Sequence, residues 1–256
     1  MNALQRLVAR GRTACLFVGA ALAPLMSCAA SVQVAVASNF ALPMQKIAAT
    51  FEADSGHKVV LSIGSTGRFY AQIRNGAPFD VLLAADDQTP LKLEAEGLGT
   101  RGGSFIYATG RLVLWSAKPN LVDDKGAILA GGGYNRLALA DPRVAPYGWA
   151  AAQTLQKMNL SRLQASAVQA ENIGQTYQFV QSGNADIGFV ALSQVMQDGK
   201  IGQGSAWLVP AAMHSPIRQG AALLVKGKDN PAAVALVAYL RGDKARAIIR
   251  RHGYEL

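Results

Sequence analysis

One junction recurs along this chain and restricts what it can become: an apolar strand ends, small or hydroxylated residues follow, and a helix starts. The clearest copy lies in Gly64–Asp87, GSTGRFYAQIRNGAPFDVLLAADD. A turn at Gly64-Ser65-Thr66-Gly67 leads into a helical run, Arg68 to Asn75. The breakers Asn75-Gly76-Ala77-Pro78 come next, then an apolar run from Val81 to Ala85. Strands alternating with helices imply parallel pairing, because a parallel crossover needs a dozen or more residues, usually a helix. A helix start also exposes unbonded N–H groups and partial positive charge, which suits an anion.

The same grammar appears elsewhere. Ser31 to Ala37 is Val-rich and alternates partly, so it reads as a strand; it stops at Ser38-Asn39. Met44, Ile47, Ala48 and Phe51 then form one helical stripe, with Pro43 in its first turn and Ser55-Gly56 at its end. Lys58 to Ile63 is the next strand. Arg136 to Ala140 ends at Asp141-Pro142, and Pro146-Tyr147-Gly148 opens a helix. Asn172-Ile173-Gly174 opens another, which stops at Ser182-Gly183 before a strand from Asp186 to Ala191. Further strands are expected at 105–108, 112–116, 206–209 and 221–225. Helices are expected at 90–96, 231–240 and 243–251. The expected fold class is therefore α/β: two lobes, each a mostly parallel sheet flanked by helices, with a cleft between. Its expected division is 31–110 with 216–256 in one lobe and 111–215 in the other.

The first thirty residues read as a secretory signal. Arg6, Arg10 and Arg12 precede an uncharged apolar run, Ala14 to Met26, and Ser27-Cys28-Ala29-Ala30 supplies small residues for cleavage. Cleavage is expected after Ala30; the competing reading is a lipoprotein signal with Cys28 as the lipidated terminus. Both cysteines, Cys15 and Cys28, lie in this segment, so cleavage after Ala30 leaves neither disulfide nor cysteine metal site. The formal charge of +9 includes those three arginines; beyond them 22 basic residues face 16 acidic ones. They are scattered apart from Lys244 to Arg251, and no nucleic-acid-binding motif is visible, so nucleic acid is not an expected partner. His57, His214 and His252 are too dispersed for a metal site.

Each junction alone is explained by helix capping, for which Ser, Thr and Asn are the preferred residues. Four together could aim four helix starts at one spot. Neutral donors so arranged would suit a tetrahedral, doubly charged oxyanion.

Four segments carry a resemblance to a known family. They are AVASNF at 35–40, GSTGRFYAQIRNGAPFDVLLAAD at 64–86, LALADPRVAPYGWAA at 137–151 and AENIGQTYQFVQSGNADIGFVALSQV at 170–195. In this order they resemble the periplasmic molybdate-binding proteins of ABC transporters, among the type II solute-binding proteins. The resemblance implies a hydroxyl from Ser38, the backbone N–H of Asn39, and a hydroxyl from Ser65 or the adjacent Thr66. It also implies a contact from Tyr147 and the backbone N–H of Ile173. Some members carry a tyrosine just beyond the Gly188-Phe189-Val190 strand; here Ala191 stands there, with Tyr147 as the candidate substitute. The resemblance further implies molybdate or tungstate as ligand, no cofactor, no direct metal-ligand cluster, a monomer in the periplasm, and a membrane permease as partner. Two other functions were open: a binding protein of this fold for another anion such as sulfate, and a hydrolase using Ser38 or Ser65. Arg68 is expected to face solvent or flank the anion. Asp80, Asp86 and Asp141 were expected to shape turns, and Trp149 to pack.

Overall fold

The structure is a computed structural model and describes residues 29–197 and 199–256; the expected signal segment falls almost wholly outside them. The chain starts with β1 (Ser31–Ala37), where Val32, Val34 and Val36 are fully buried. A single 3-10 turn, Ser38–Phe40, joins it to α1 (Ala41–Ser55), which Gly56 closes in the left-handed region with φ of 73°. Then come β2 (Lys58–Gly64), α2 (Thr66–Arg74), β3 (Val81–Leu83), α3 (Gln88–Ala95) and β4 (Phe105–Gly110).

Only Arg111 separates β4 from β5 (Leu112–Ser116), which belongs to a second sheet. It is followed by α4 (Ile128–Gly131), β6 (Leu137–Ala140), α5 (Pro146–Lys157), α6 (Leu163–Ser166), β7 (Val168–Ala170) and α7 (Ile173–Gln181). Next are β8 (Ile187–Ala191), α8 (Leu192–Val195), a small hairpin of β9 (Met196–Gln197) and β10 (Lys200–Ile201), and β11 (Ser205–Leu208). The chain then returns to the first sheet through β12 (Ile217–Leu223). It ends in α9 (Pro231–Leu240) and α10 (Asp243–Arg251).

The first sheet has the order β2-β1-β3-β12-β4 and the second β11-β5-β8-β6-β7. In the first, β1 pairs in parallel with β2 and β3, while β12 pairs antiparallel with β3 and β4. In the second, β6 pairs in parallel with β7 and β8, while β5 pairs antiparallel with β8 and β11. Both sheets are thus mixed. One strand in each, β12 or β5, runs against the rest, and it is the first strand formed after the chain crosses over. A chain arriving from the other lobe enters at the cleft end, so it can only run away from the cleft.

The helices α1, α9 and α10 cover one face of the first sheet through Phe40, Met44, Ile47, Phe51, Leu236 and Ile249. The second sheet's core joins Leu112, Leu114, Tyr147, Leu155 and Phe189, and it takes in Ala37, Ala85 and Ile217 from the first. The two cores therefore meet where the carboxyl ends of β1, β3 and β6 face each other. In α/β sheets that is where ligand crevices lie. Strand β7 and the early start of β12 differ from the sequence expectation. Val168-Gln169-Ala170 is too short to show periodicity, and β12 begins on Ile217-Arg218-Gln219, whose alternation is interrupted by Gly220.

Candidate functional site

Ser38, Asn39, Ser65, Thr66, Tyr147 and Ile173 all line one small cavity between the two sheets, with Ala37, Gly64, Ala85, Ala145, Pro146 and Asn172. About 190 Å³ there is free of atoms. No charged side chain lines it.

Each junction contributes through its local fold. Ser65 is the N-cap of α2, with extended backbone, and makes no side-chain cap bond. Its Oγ is buried and has no hydrogen-bond partner among the described residues. The adjacent Thr66 is differently employed: its Oγ1 accepts from the Ala85 N–H at 2.9 Å, pinning α2 to the end of β3. The two hydroxyls thus differ: Ser65 Oγ has no partner among the described residues, while Thr66 Oγ1 accepts one bond and keeps its own hydrogen to donate. Ser38 Oγ accepts from the Gly174 N–H at 3.0 Å, across the cleft, so its own hydrogen remains to be donated.

The helix starts of the second sheet are N-capped in different ways. Asn172 Oδ1 accepts from the Gln175 N–H at 3.0 Å, which leaves the Ile173 N–H at the front of α7. Pro146 occupies the first turn of α5, where its missing N–H costs nothing. The N–H groups of Asn39, Ser65, Tyr147 and Ile173 enter none of the turn, loop or cap hydrogen bonds. A buried N–H without an acceptor is costly, so four around one cavity call for an acceptor there.

On the resemblance, Tyr147 is the candidate substitute for the hydroxyl missing at Ala191. Its hydroxyl instead accepts from Gln219 Nε2 at 3.2 Å, while Ala191 pairs with Leu112 and does not line the cavity. Burial pushes the Tyr147 phenol well above its ordinary range.

The outer rim carries charge. Arg68 Nε lies 2.8 Å from Glu171 Oε1, joining α2 to the segment before α7. Beside it the Gly67 N–H donates to Val144 O at 2.9 Å. A Cβ on Gly67 would sit 2.9 Å from Val144 Cα, so the two lobes approach this closely only over glycine.

Asp86 and Asp141 shape turns as expected, whereas Asp80 reaches out of its turn to the backbone of β1. Asp86 accepts from the Thr89 N–H at 2.6 Å, Asp80 from the Gln33 N–H at 2.7 Å and Asp141 from the Arg143 N–H at 3.0 Å. Trp149 differs: it is 56% exposed on the outside of α5, since it falls one residue past the buried Tyr147-Gly148 turn. Neither cavity serine has a histidine partner. His57 accepts from the Ala30 N–H, His214 contacts Ser215 O and His252 contacts Ile248 O. Among the described residues no group of three or more His, Cys, Asp or Glu could hold a metal ion, and no helix is long and apolar enough to cross a membrane.

Sequence reasoning missed Gln219 and Tyr254, which bond to Asn39 and Tyr147 behind the cavity. Both lie far from every junction motif. The one signal for Gln219 was a polar residue beside Arg218 at the start of a strand that ends in Gly220-Ala221-Ala222-Leu223.

Residues 32–255 match the family described as bacterial extracellular solute-binding protein. The molybdate-binding protein ModA of Azotobacter vinelandii is 56% identical over 93% of this chain and 95% of its own length. The molybdate-binding protein ModA of Rhodobacter capsulatus is 46% identical over 90% of each. A solved structure of the Azotobacter vinelandii periplasmic molybdate-binding protein superposes with a TM-score of 0.85 at 42% identity, covering 88% of this chain and 99% of that one. With the match spanning nearly all the described residues and both sides of the cavity, the chain belongs to the bacterial extracellular solute-binding protein family.

Proposed function

We propose that this protein captures molybdate in the cavity between its lobes and delivers it to the membrane permease of an ABC transporter. The observation that carries the reading is Ser65 Oγ: buried, unpartnered, and set among N–H groups from both lobes. Ser38 and Ser65 donate hydroxyl hydrogens to the anion's oxygens, and Asn39, Ser65, Tyr147 and Ile173 donate backbone N–H groups. Thr66 supports the α2 turn. No covalent step is involved, and no cofactor is required. Molybdenum is held through its oxygens, with no protein atom on the metal.

A site without charge selects by hydrogen-bond sense and by size. A fully ionised oxyanion offers only acceptors to a cavity that offers donors. Phosphate near neutral pH carries a proton, which would put donor against donor at a cost of about 1–3 kcal/mol. Sulfate is also a dianion but smaller, so the fixed N–H groups would grip it less well. Tungstate matches molybdate in charge and nearly in size, and it binds the same way.

The remaining parts of the reading concern export and motion. Residues 1–30 direct export and are removed, with lipidation at Cys28 as the alternative anchor, and the mature protein works as a periplasmic monomer. The lobes, 31–110 with 216–256 and 111–215, rotate about the two crossings near Gly110 and His214–Pro216. Hinge closure around ligand is a common device in periplasmic binding proteins.

Calorimetry decides the ligand. Molybdate and tungstate should each saturate the purified protein at one site, while sulfate binds far more weakly. Sulfate binding as tight as molybdate would assign the site to another anion.

A further inference from the structure

Behind the cavity lies a buried cluster of neutral side chains for which anion binding by itself has no use. Gln219 is at its centre and is wholly buried. The pairing of β12 with β4 slips between Gln219 and Gly220. Such a bulge re-aims a side chain, and bulges concentrate beside functional sites. Here the side chain bonds to three partners. Gln219 Oε1 accepts from Asn39 Nδ2 at 2.8 Å and from the Tyr107 hydroxyl at 2.9 Å; Nε2 donates to the Tyr147 hydroxyl at 3.2 Å.

The ring continues through Asn39. Its second amide hydrogen goes to the Tyr254 hydroxyl at 3.0 Å. That hydroxyl donates to Ser193 Oγ at 2.9 Å, and the Ser193 hydroxyl donates to Asn39 O at 2.8 Å. Both amide hydrogens of Asn39 are thus taken by the network, its Oδ1 is buried without a partner among the described residues, and its carbonyl accepts from Ser193 of the other lobe. Gly110, the last residue before the first crossing, lies under the Tyr147–Gln219 bond. A Cβ there would collide with the Tyr147 hydroxyl and stand 2.6 Å from Gln219 Nε2.

We infer that Gln219 is a positioning residue for the anion cavity: its carboxamide ties Asn39 to Tyr147, one from each lobe, so that closing the lobes and aligning the donors occur together. The inference rests on the anion-binding reading above. Gln219 is not among the residues that line the cavity. An amide suits the place because it presents an acceptor edge to Asn39 and Tyr107 and a donor edge to Tyr147. A carboxylate would present acceptors only and would set a buried negative charge close to the anion. Facing this point are Tyr107, Tyr147 and Tyr254, whose phenols burial raises, and Asp86, which acts on Tyr107 and is itself raised by burial.

The test compares wild type, Gln219→Glu and Gln219→Met by molybdate calorimetry, at about pH 6 and about pH 8, with circular dichroism as the fold check. Wild-type affinity should stay flat. Gln219→Glu should bind best near pH 6, where a buried protonated carboxyl can still donate to Tyr147, and weaken by about tenfold or more near pH 8 as the carboxyl ionises. Gln219→Met should be weak at both values. A purely structural role would lower the melting temperature while the folded variants bound as wild type with no pH dependence, and that result overturns the inference. If both variants fail to fold, Gly110→Ala displaces the same Tyr147–Gln219 bond, and unchanged affinity there also overturns it. Wild type that does not bind molybdate removes the anion reading and this inference with it; wild type that binds beside indifferent variants removes the inference alone.

Discussion

The lobes meet at two places of opposite character, and the contrast separates holding the ion from closing the door. At the rim, an exposed ion pair, Arg68–Glu171, and a backbone bond, Gly67 to Val144, cross the cleft. At the floor, Asn39, Gln219, Tyr107, Tyr147, Tyr254 and Ser193 cross it through buried neutral bonds. An exposed ion pair is worth about 0.2–1 kcal/mol and is screened by salt. Breaking a buried hydrogen bond so that one partner stays unsatisfied costs about 1–3 kcal/mol. The rim can therefore trim the lifetime of the closed state, whereas the floor and the cavity walls set affinity. Charge is kept where water can screen it and away from the bound anion, whose own charge then meets only dipoles.

The largest effect is expected for Ser65→Ala, which removes the unpartnered hydroxyl. A hydrogen bond to a charged group is worth about 1.5–3 kcal/mol, so molybdate affinity should fall about tenfold to a hundredfold with the fold intact. Titration calorimetry beside thermal unfolding without ligand reads both. Next comes Gly67→Ala. Its methyl group would press on the Val144 backbone, at the roughly 1–3 kcal/mol typical of overpacking. On the proposed hinge closure that clash belongs to the closed arrangement, so stopped-flow release of molybdate should quicken while unliganded stability stays level.

Thr66→Val should reverse the Ser65 pattern. It strands the Ala85 N–H, so urea unfolding should show about 1–3 kcal/mol of lost stability, with a smaller loss of affinity than in Ser65→Ala. Equal affinity losses in the two variants would show that both hydroxyls serve the ion. The smallest effect belongs to Arg68→Gln: release should quicken at most a few-fold at low ionic strength, and the difference should vanish in high salt. A large, salt-independent effect would move the rim into the binding machinery.

The walls of the cavity were legible in the sequence because each is a local motif. A strand end, a capping residue and a helix start are contiguous, so Ser38-Asn39, Ser65-Thr66, Tyr147 and Ile173 could be picked out one junction at a time. The fold class followed from the same repetition. The floor was not legible, because its members come from remote segments: Asn39 and Tyr254 are joined across nearly the whole chain. Nor could spacing foretell which sheet neighbours are antiparallel. That follows from where the chain re-enters each lobe, a tertiary fact. Trp149 shows the converse limit: a tryptophan beside a buried tyrosine reads as core, yet one helical step of 100° turns it outward.

The most direct measurement is competition at neutral pH: molybdate bound to the purified protein, challenged with an equal concentration of tungstate or of phosphate. If the serine hydroxyls and the N–H groups all donate to a fully ionised oxyanion, tungstate displaces molybdate and phosphate does not. Displacement by phosphate at equal concentration would contradict it, because a protonated oxyanion would have to donate to an acceptor such as Asn39 Oδ1 or a serine oxygen.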